Sequence, residues 1–201
     1  MILVGRTAPN FISSAILKNG KIIHDFNLKE QISSNKGCIL FFWPLDFTFV
    51  CPTELLAFNS TYSEFQKRNI ALIGVSIDSV FAHEHWRNTS IDNGGIGPMQ
   101  FTMVSDIKRE IQQLYNIEHP ELGIALRATF FIDQHNIIRH QSINDLPIGR
   151  NIQEILRIID AVTFHEKNGE VCPANWNNGK PGITASQEGI KQYLKNKYIY
   201  K

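Results

Sequence analysis

The chain has 201 residues, with 20 Lys or Arg, 19 Asp or Glu and a formal charge of +1, which points to one ordinary domain with room for an extension and a core that needs no staples. A charge this balanced, with no long run of either sign, excludes the basic footprint that nucleic acid or an anionic membrane selects. No apolar run is long and unbroken enough to span a bilayer, and Met1 to Arg6 is too short for a secretory signal, so a soluble cytoplasmic protein is expected.

In chain order, Phe11 to Leu17 and Lys21 to Phe26 read as strands around the hairpin turn Asn19-Gly20. Cys38-Ile39-Leu40-Phe41-Phe42-Trp43 is a continuous apolar run stopped by Pro44, the pattern of a strand buried on both faces. Pro52 suits the first turn of a helix whose buried face is Leu55, Phe58, Tyr62 and Phe65. Ala71 to Ile77 is a second buried strand, closed by Asp78-Ser79. Helices are expected from Val80 to Arg87 and from Ile107 to Tyr115, with a glycine-rich loop at 94–98 and a short strand from Phe101 to Val104 between them.

Ala128 to Asp133 and Ile137 to Ser142 read as two strands around a turn at 134–136. Asn151 with Glu154 three residues on is a capping-box pattern for a last long helix. Its buried stripe is Ile152, Ile155, Leu156, Ile159 and Val162, and Gly169 is placed to end it. Beyond Cys172 the chain is rich in Pro, Asn, Gly and Lys, with few candidates for a core and one helical stretch near Gln187 to Lys197. The alternation of strands and helices predicts an α/β fold with a mixed central sheet flanked by helices. The domain is expected over 1–168, with a C-terminal arm over 169–201.

Three cysteines, at 38, 51 and 172, are too few for a disulfide framework and lack the spacing of a zinc site, so neither a metal nor a cofactor is expected. His83 and His85, two apart, match no metal motif and read as exposed helix residues. Cys38 lies inside its strand and reads as structural. Cys51 falls where a buried strand has ended and a helix begins, a place where orphan N–H groups and the positive end of the helix dipole favour an anionic, nucleophilic sulfur. Position alone leaves a structural role for Cys51 open.

The residues around Cys51 decide between these readings. Phe47-Thr48-Phe49-Val50-Cys51-Pro52-Thr53-Glu54, preceded by Phe41-Phe42-Trp43-Pro44-Leu45-Asp46, closely resembles the active-site segment of typical 2-Cys peroxiredoxins. The resemblance extends to Val4-Gly5-Arg6-Thr7-Ala8-Pro9-Asn10-Phe11, Gly74-Val75-Ser76-Ile77-Asp78-Ser79, Arg127-Ala128-Thr129-Phe130-Phe131-Ile132-Asp133 and Glu170-Val171-Cys172-Pro173-Ala174-Asn175-Trp176. It implies a thioredoxin-like fold and a cycle that reduces hydroperoxides. Cys51 then corresponds to the peroxidatic cysteine and Cys172 to the resolving cysteine, which in this family comes from the partner subunit. Pro44, Thr48 and Arg127 correspond to the residues that shape the pocket and bond the peroxide, and Glu54 to the one that orients the arginine. The resemblance also implies a homodimer, in a ring of dimers, re-reduced by thioredoxin or by a flavoprotein reductase.

Two other readings remain at this point. A thioredoxin-like disulfide oxidoreductase uses Cys-x-x-Cys, whereas Cys51-Pro52-Thr53-Glu54 has Glu in place of the second Cys. A holdase chaperone or structural ring protein would leave the thiols incidental, and no residue pattern demands it. The stretch Lys191 to Lys195 resembles the arm of the eukaryote-like branch, which favours thioredoxin as reductant. Gly94-Gly95-Ile96-Gly97 and Tyr193-Leu194 resemble the family's two overoxidation-sensitivity motifs, the second with one aromatic ring lost.

Overall fold

The computed structural model describes residues 1–199, as two compact units, Met1–Ile152 and Gln153–Lys201, the described part of the latter ending at 199. The first unit holds a seven-stranded mixed sheet. Its strands are β1 (Ile12–Ile16), β2 (Ile22–Asn27), β3 (Gly37–Phe42), β4 (Ala71–Ser76), β5 (Thr102–Ser105), β6 (Arg127–Asp133) and β7 (Ile138–Asn144), in the order β2-β1-β5-β4-β3-β6-β7. β3, β4 and β5 run parallel, while β1, β2, β6 and β7 extend the sheet antiparallel at both sides. This is the mixed sheet flanked by helices that the alternation predicts.

β3 lies inside the sheet, and every one of its residues is buried, as its unbroken apolar run requires. Side chains alternate across a strand, so the run feeds two layers. Cys38, Leu40 and Phe42 join Ile73, Val75, Ala128, Phe130 and Ile132 in one core. On the other face Phe41 stacks on Phe58 of α2 (Cys51–Ser60), with ring centroids 4.2 Å apart, and meets Phe101 edge-on at 5.5 Å. Truncating Phe41 to Ala would cost about 3–5 kcal/mol by opening a cavity between sheet and helix. Gly74 on β4 makes this packing possible, because a Cβ there would come within 2.7 Å of the Phe41 and Trp43 rings.

Three departures from the expected elements have local causes. A short helix α1 (Leu28–Ser33) follows β2, started by Asn27, whose side chain accepts from Lys29 N–H. Six residues are too few to show a helical period. The helix after Cys51 breaks at Thr61, whose hydroxyl bonds back to the Ala57 carbonyl, and resumes as α3 (Tyr62–Lys67). The helix α4 (Val80–Asn88) matches its expected start, capped by the Ser79 hydroxyl on Ala82 N–H. The helix expected from Ile107 shrinks to α5 (Glu110–Leu114), because Arg109 is left-handed at φ 62° and the Asp106 carboxylate takes the N–H groups of Ile111 and Gln112.

The second unit holds most of α6 (Ile152–Asn168), then α7 (Gln187–Leu194) and a π-helical turn, Lys195–Ile199. Gly169 ends α6 at φ 70°, donating its N–H to the His165 carbonyl at 2.8 Å. Among the described residues beyond Cys172 only Trp176 and Ile183 are buried, in keeping with the few core candidates there. Trp176 packs on Phe164 at 4.9 Å, and its carbonyl accepts from Arg157 Nη1 at 3.1 Å.

Candidate active site

Parallel strands end on the same edge of a sheet, and that edge is where α/β folds gather their chemistry. Here the ends of β3 and β4 lie together, with Phe42 opposite Val75. β6 runs against β3 with Thr129 opposite Phe41, so its first residue, Arg127, reaches the level where β3 gives way to the loop. That loop runs from Trp43 to Val50, and α2 begins with Cys51. Register alone therefore carries Arg127 toward Cys51 from a residue far along the chain.

The Cys51 side chain is fully buried, and two donors meet its sulfur. Thr48 Oγ1 lies 2.9 Å from Sγ and Arg127 Nη1 lies 3.3 Å from it. The Thr48 hydroxyl has one hydrogen for two acceptors, since the Leu45 carbonyl also lies 2.9 Å away. Arg127 is fixed by two further bonds: Nε donates to the Leu146 carbonyl at 2.6 Å, and Nη1 donates to Glu54 Oε2 at 2.8 Å. Glu54 stands one turn after Cys51 on the same helix and is buried.

Sequence reasoning missed Arg150. It binds both oxygens of Glu54, with its backbone N–H on Oε1 at 3.0 Å, Nε on Oε1 at 2.8 Å and Nη2 on Oε2 at 2.7 Å. Its Nη1 also donates to the carbonyls of Phe42 and Ala128, at 2.8 Å and 3.0 Å, and its guanidinium lies over the Phe41 ring. One carboxylate thus serves two buried guanidinium groups, one of which reaches the sulfur. The only sequence signal was an arginine after Gly149 in a loop, and nothing local distinguishes such a residue from a solvated one.

The expectation that His83 is exposed is corrected. His83 is fully buried, with Nδ1 2.7 Å from Asp46 Oδ2 and Nε2 3.3 Å from the Val104 carbonyl. It lies on the inward face of α4, beside Trp86, also buried, while His85 stands next to the Phe47 ring. Pro44 is buried where β3 ends. Cys38 is buried within β3, where desolvation pushes its thiol far up, as suits a structural cysteine.

Of the residues singled out from sequence, Pro44, Thr48, Cys51, Glu54 and Arg127 all lie in the first unit, and the last four are linked by hydrogen bonds or by the turn of α2. Cys172 lies in the second unit, half-buried, with Sγ 3.5 Å from the Ala161 carbonyl. Burial pushes its thiol up, and the nearby Arg157 guanidinium partly opposes that rise. A hollow of about 610 Å³ in this unit, with Trp176, Ile183 and Tyr193 in its wall, holds none of the site residues. Among the described residues no group of His, Cys, Asp or Glu could hold a metal ion, and no helix is long and apolar enough to cross a membrane.

Residues 4–141 match the family model described as the AhpC/TSA family, and residues 161–196 match that of the C-terminal domain of 1-Cys peroxiredoxin. An alkyl hydroperoxide reductase C of Buchnera aphidicola is 62% identical, the alignment covering 97% of this chain and 98% of that one. The protein of the same name from Helicobacter pylori is 46% identical, over 98% and 99% of the two chains. Among solved structures, the reduced 2-Cys peroxiredoxin of Plasmodium vivax superposes with a TM-score of 0.93 at 42% identity, over 97% of this chain and 100% of that one. Chains named alkyl hydroperoxide reductase C thus align with this chain over nearly their whole length.

Proposed function

This chain belongs to the AhpC/TSA family and is a thiol peroxidase of the 2-Cys peroxiredoxin type, and we propose that Cys51 is its peroxidatic cysteine and Cys172 its resolving cysteine. The single observation that carries the reading of Cys51 is the convergence of Thr48 and Arg127 on its buried sulfur, and the reading of Cys172 is supported by family membership. The position that holds a second cysteine in a dithiol oxidoreductase holds Glu54, engaged by two arginines, which speaks against dithiol exchange at this helix.

In the first step the Cys51 thiolate attacks one oxygen of a hydroperoxide. An S–O bond forms, the O–O bond breaks, and the leaving hydroxide or alkoxide takes up a proton and departs as water or alcohol. Negative charge passes from sulfur to the leaving oxygen, so donors already aimed at this place lower the barrier without having to reorganise. Arg127 supplies a permanent charge in a rigid fork, Thr48 a hydroxyl that donates or accepts, and Pro44 a wall that adds no donor. Glu54, held by Arg150, orients Arg127.

In the second step Cys172 attacks the Cys51 sulfenic acid, an S–S bond forms and water leaves. The disulfide is between subunits of a homodimer, a reading supported by family membership alone. Further association into a ring of dimers likewise rests on family membership alone. A dithiol reductant, thioredoxin or a flavoprotein-coupled one, returns both thiols. Three cysteines, too few for a disulfide framework, are consistent with a cytoplasmic setting.

The experiment is peroxide consumption measured stoichiometrically, without reductant, on Cys51→Ser beside wild type. Wild type should consume peroxide in proportion to protein, and Cys51→Ser none. Equal consumption by both would overturn the assignment.

A further inference from the structure

The loop before Cys51 is gripped, residue after residue, by the end of β4 and by α4. The Asp46 backbone N–H donates to Asp78 Oδ2 at 2.9 Å, and the same oxygen accepts from the Ser76 hydroxyl at 2.7 Å. The Asp46 carboxylate accepts from Trp43 Nε1 at 2.9 Å through Oδ1 and meets His83 Nδ1 at 2.7 Å through Oδ2. Phe47 follows at φ 53°, a left-handed conformation that a bulky side chain keeps only where its surroundings over-determine it. Its ring lies against His85 and Trp86 of α4, at 5.6 Å and 5.7 Å. The next residue is Thr48.

One peptide unit links this grip to the sulfur. The unit joining Leu45 to Asp46 gives its N–H to Asp78, and its carbonyl oxygen accepts from Thr48 Oγ1 at 2.9 Å. The same Thr48 oxygen lies 2.9 Å from Cys51 Sγ. Tilting the peptide plane would move the acceptor that shares the Thr48 hydrogen with the sulfur. Asp78 fixes the plane from the N–H side, and His83 fixes it through the Asp46 side chain.

We propose that Asp78 and His83 are positioning residues for the peroxidase reaction: they hold the Leu45–Asp46 peptide unit, and through it the Thr48 hydroxyl, against Cys51. The proposal rests on the reading of Cys51 as the thiol that meets peroxide. Neither residue touches the sulfur, and both act through Thr48. Displacing a reacting group by about 1 Å can cost roughly a hundredfold in rate, so a remote grip of this kind is kinetically visible.

The test is the stopped-flow rate of Cys51 oxidation by hydrogen peroxide in the full chain. Asp78→Ala and His83→Leu should slow it about 10- to 100-fold. Asp78→Asn, which keeps an acceptor for the Asp46 N–H, and His83→Asn, which keeps a donor for the Asp46 carboxylate, should recover most of that loss. In a Thr48→Val background, adding Asp78→Ala should change nothing further, because the group through which it acts is gone. Should Asp78→Ala fail to fold by circular dichroism, Ser76→Ala, which frees the Asp78 carboxylate to turn, is read by the same criteria.

An Asp78→Ala rate equal to wild type, an effect that persists in full on top of Thr48→Val, or an Asp78→Asn rate no faster than Asp78→Ala would each overturn the proposal. Cys51→Ser, run alongside, separates the two ideas: if it still consumes peroxide, the assignment of Cys51 fails instead.

Discussion

Arg150 holds both carboxylate oxygens of Glu54, Nε on Oε1 at 2.8 Å and Nη2 on Oε2 at 2.7 Å, although 96 positions separate the two residues. Their side chains are only 3% and 2% exposed, and Arg127, 4% exposed, shares the same carboxylate. Removing the carboxylate leaves two buried guanidinium groups without their anion. Breaking a buried pair in this way costs about 3–5 kcal/mol. Glu54→Gln should therefore lower the unfolding free energy measured by urea titration by about that much, moving the midpoint down, and slow Cys51 oxidation together with it. An unchanged midpoint would mean that water reaches these charges.

The Arg127 side chain touches three groups at once: the Leu146 carbonyl, Glu54 and the Cys51 sulfur. Lysine keeps the charge but offers a single ammonium in place of a planar fork. We expect Arg127→Lys to lose most of the rate of Cys51 oxidation, about 10²–10³-fold, the loss typical of one donor aimed at transition-state charge. Stopped-flow measurement decides it, and a Lys variant within a few-fold of wild type would show that charge alone suffices.

How much of this was legible in the sequence depended on the range of the interaction. The Cys38–Trp43 run announced β3 because a strand buried on both faces has no polar face to disguise it. Cys51 at a strand-to-helix junction was likewise a local signal. Arg127, Thr48 and Pro44 were singled out by resemblance alone, since an arginine opening a strand looks the same whether it meets solvent or a sulfur. Arg150 and His83 were missed or misread for one reason: each is buried against a carboxylate distant in sequence, Glu54 and Asp46 respectively. Periodicity tells which face of a helix is apolar, not that a histidine on the inner face has found a carboxylate partner.

Cys172 carries a pH prediction. Burial pushes its thiol up, and the nearby Arg157 guanidinium opposes the rise. Only the thiolate attacks a sulfenic acid, so the rate of disulfide formation should climb as pH rises through and beyond the ordinary thiol range. Arg157→Gln keeps donor hydrogens but removes the charge that favours the thiolate. It should shift this profile toward higher pH and leave the rate of Cys51 oxidation as it was. A profile that stays in place would mean that Cys172 leaves this environment before it reacts.

The central claim, that Cys51 and Cys172 play unequal and successive roles, is tested most directly by one peroxide equivalent added to each of three proteins. Wild type should consume it and run as a covalent dimer on a non-reducing gel. Cys172→Ser should consume it in one fast turnover, remain monomeric on the gel and stall when thioredoxin is supplied. Cys51→Ser should do neither. Equal, partial losses in single turnover and in steady state for both variants would contradict the account.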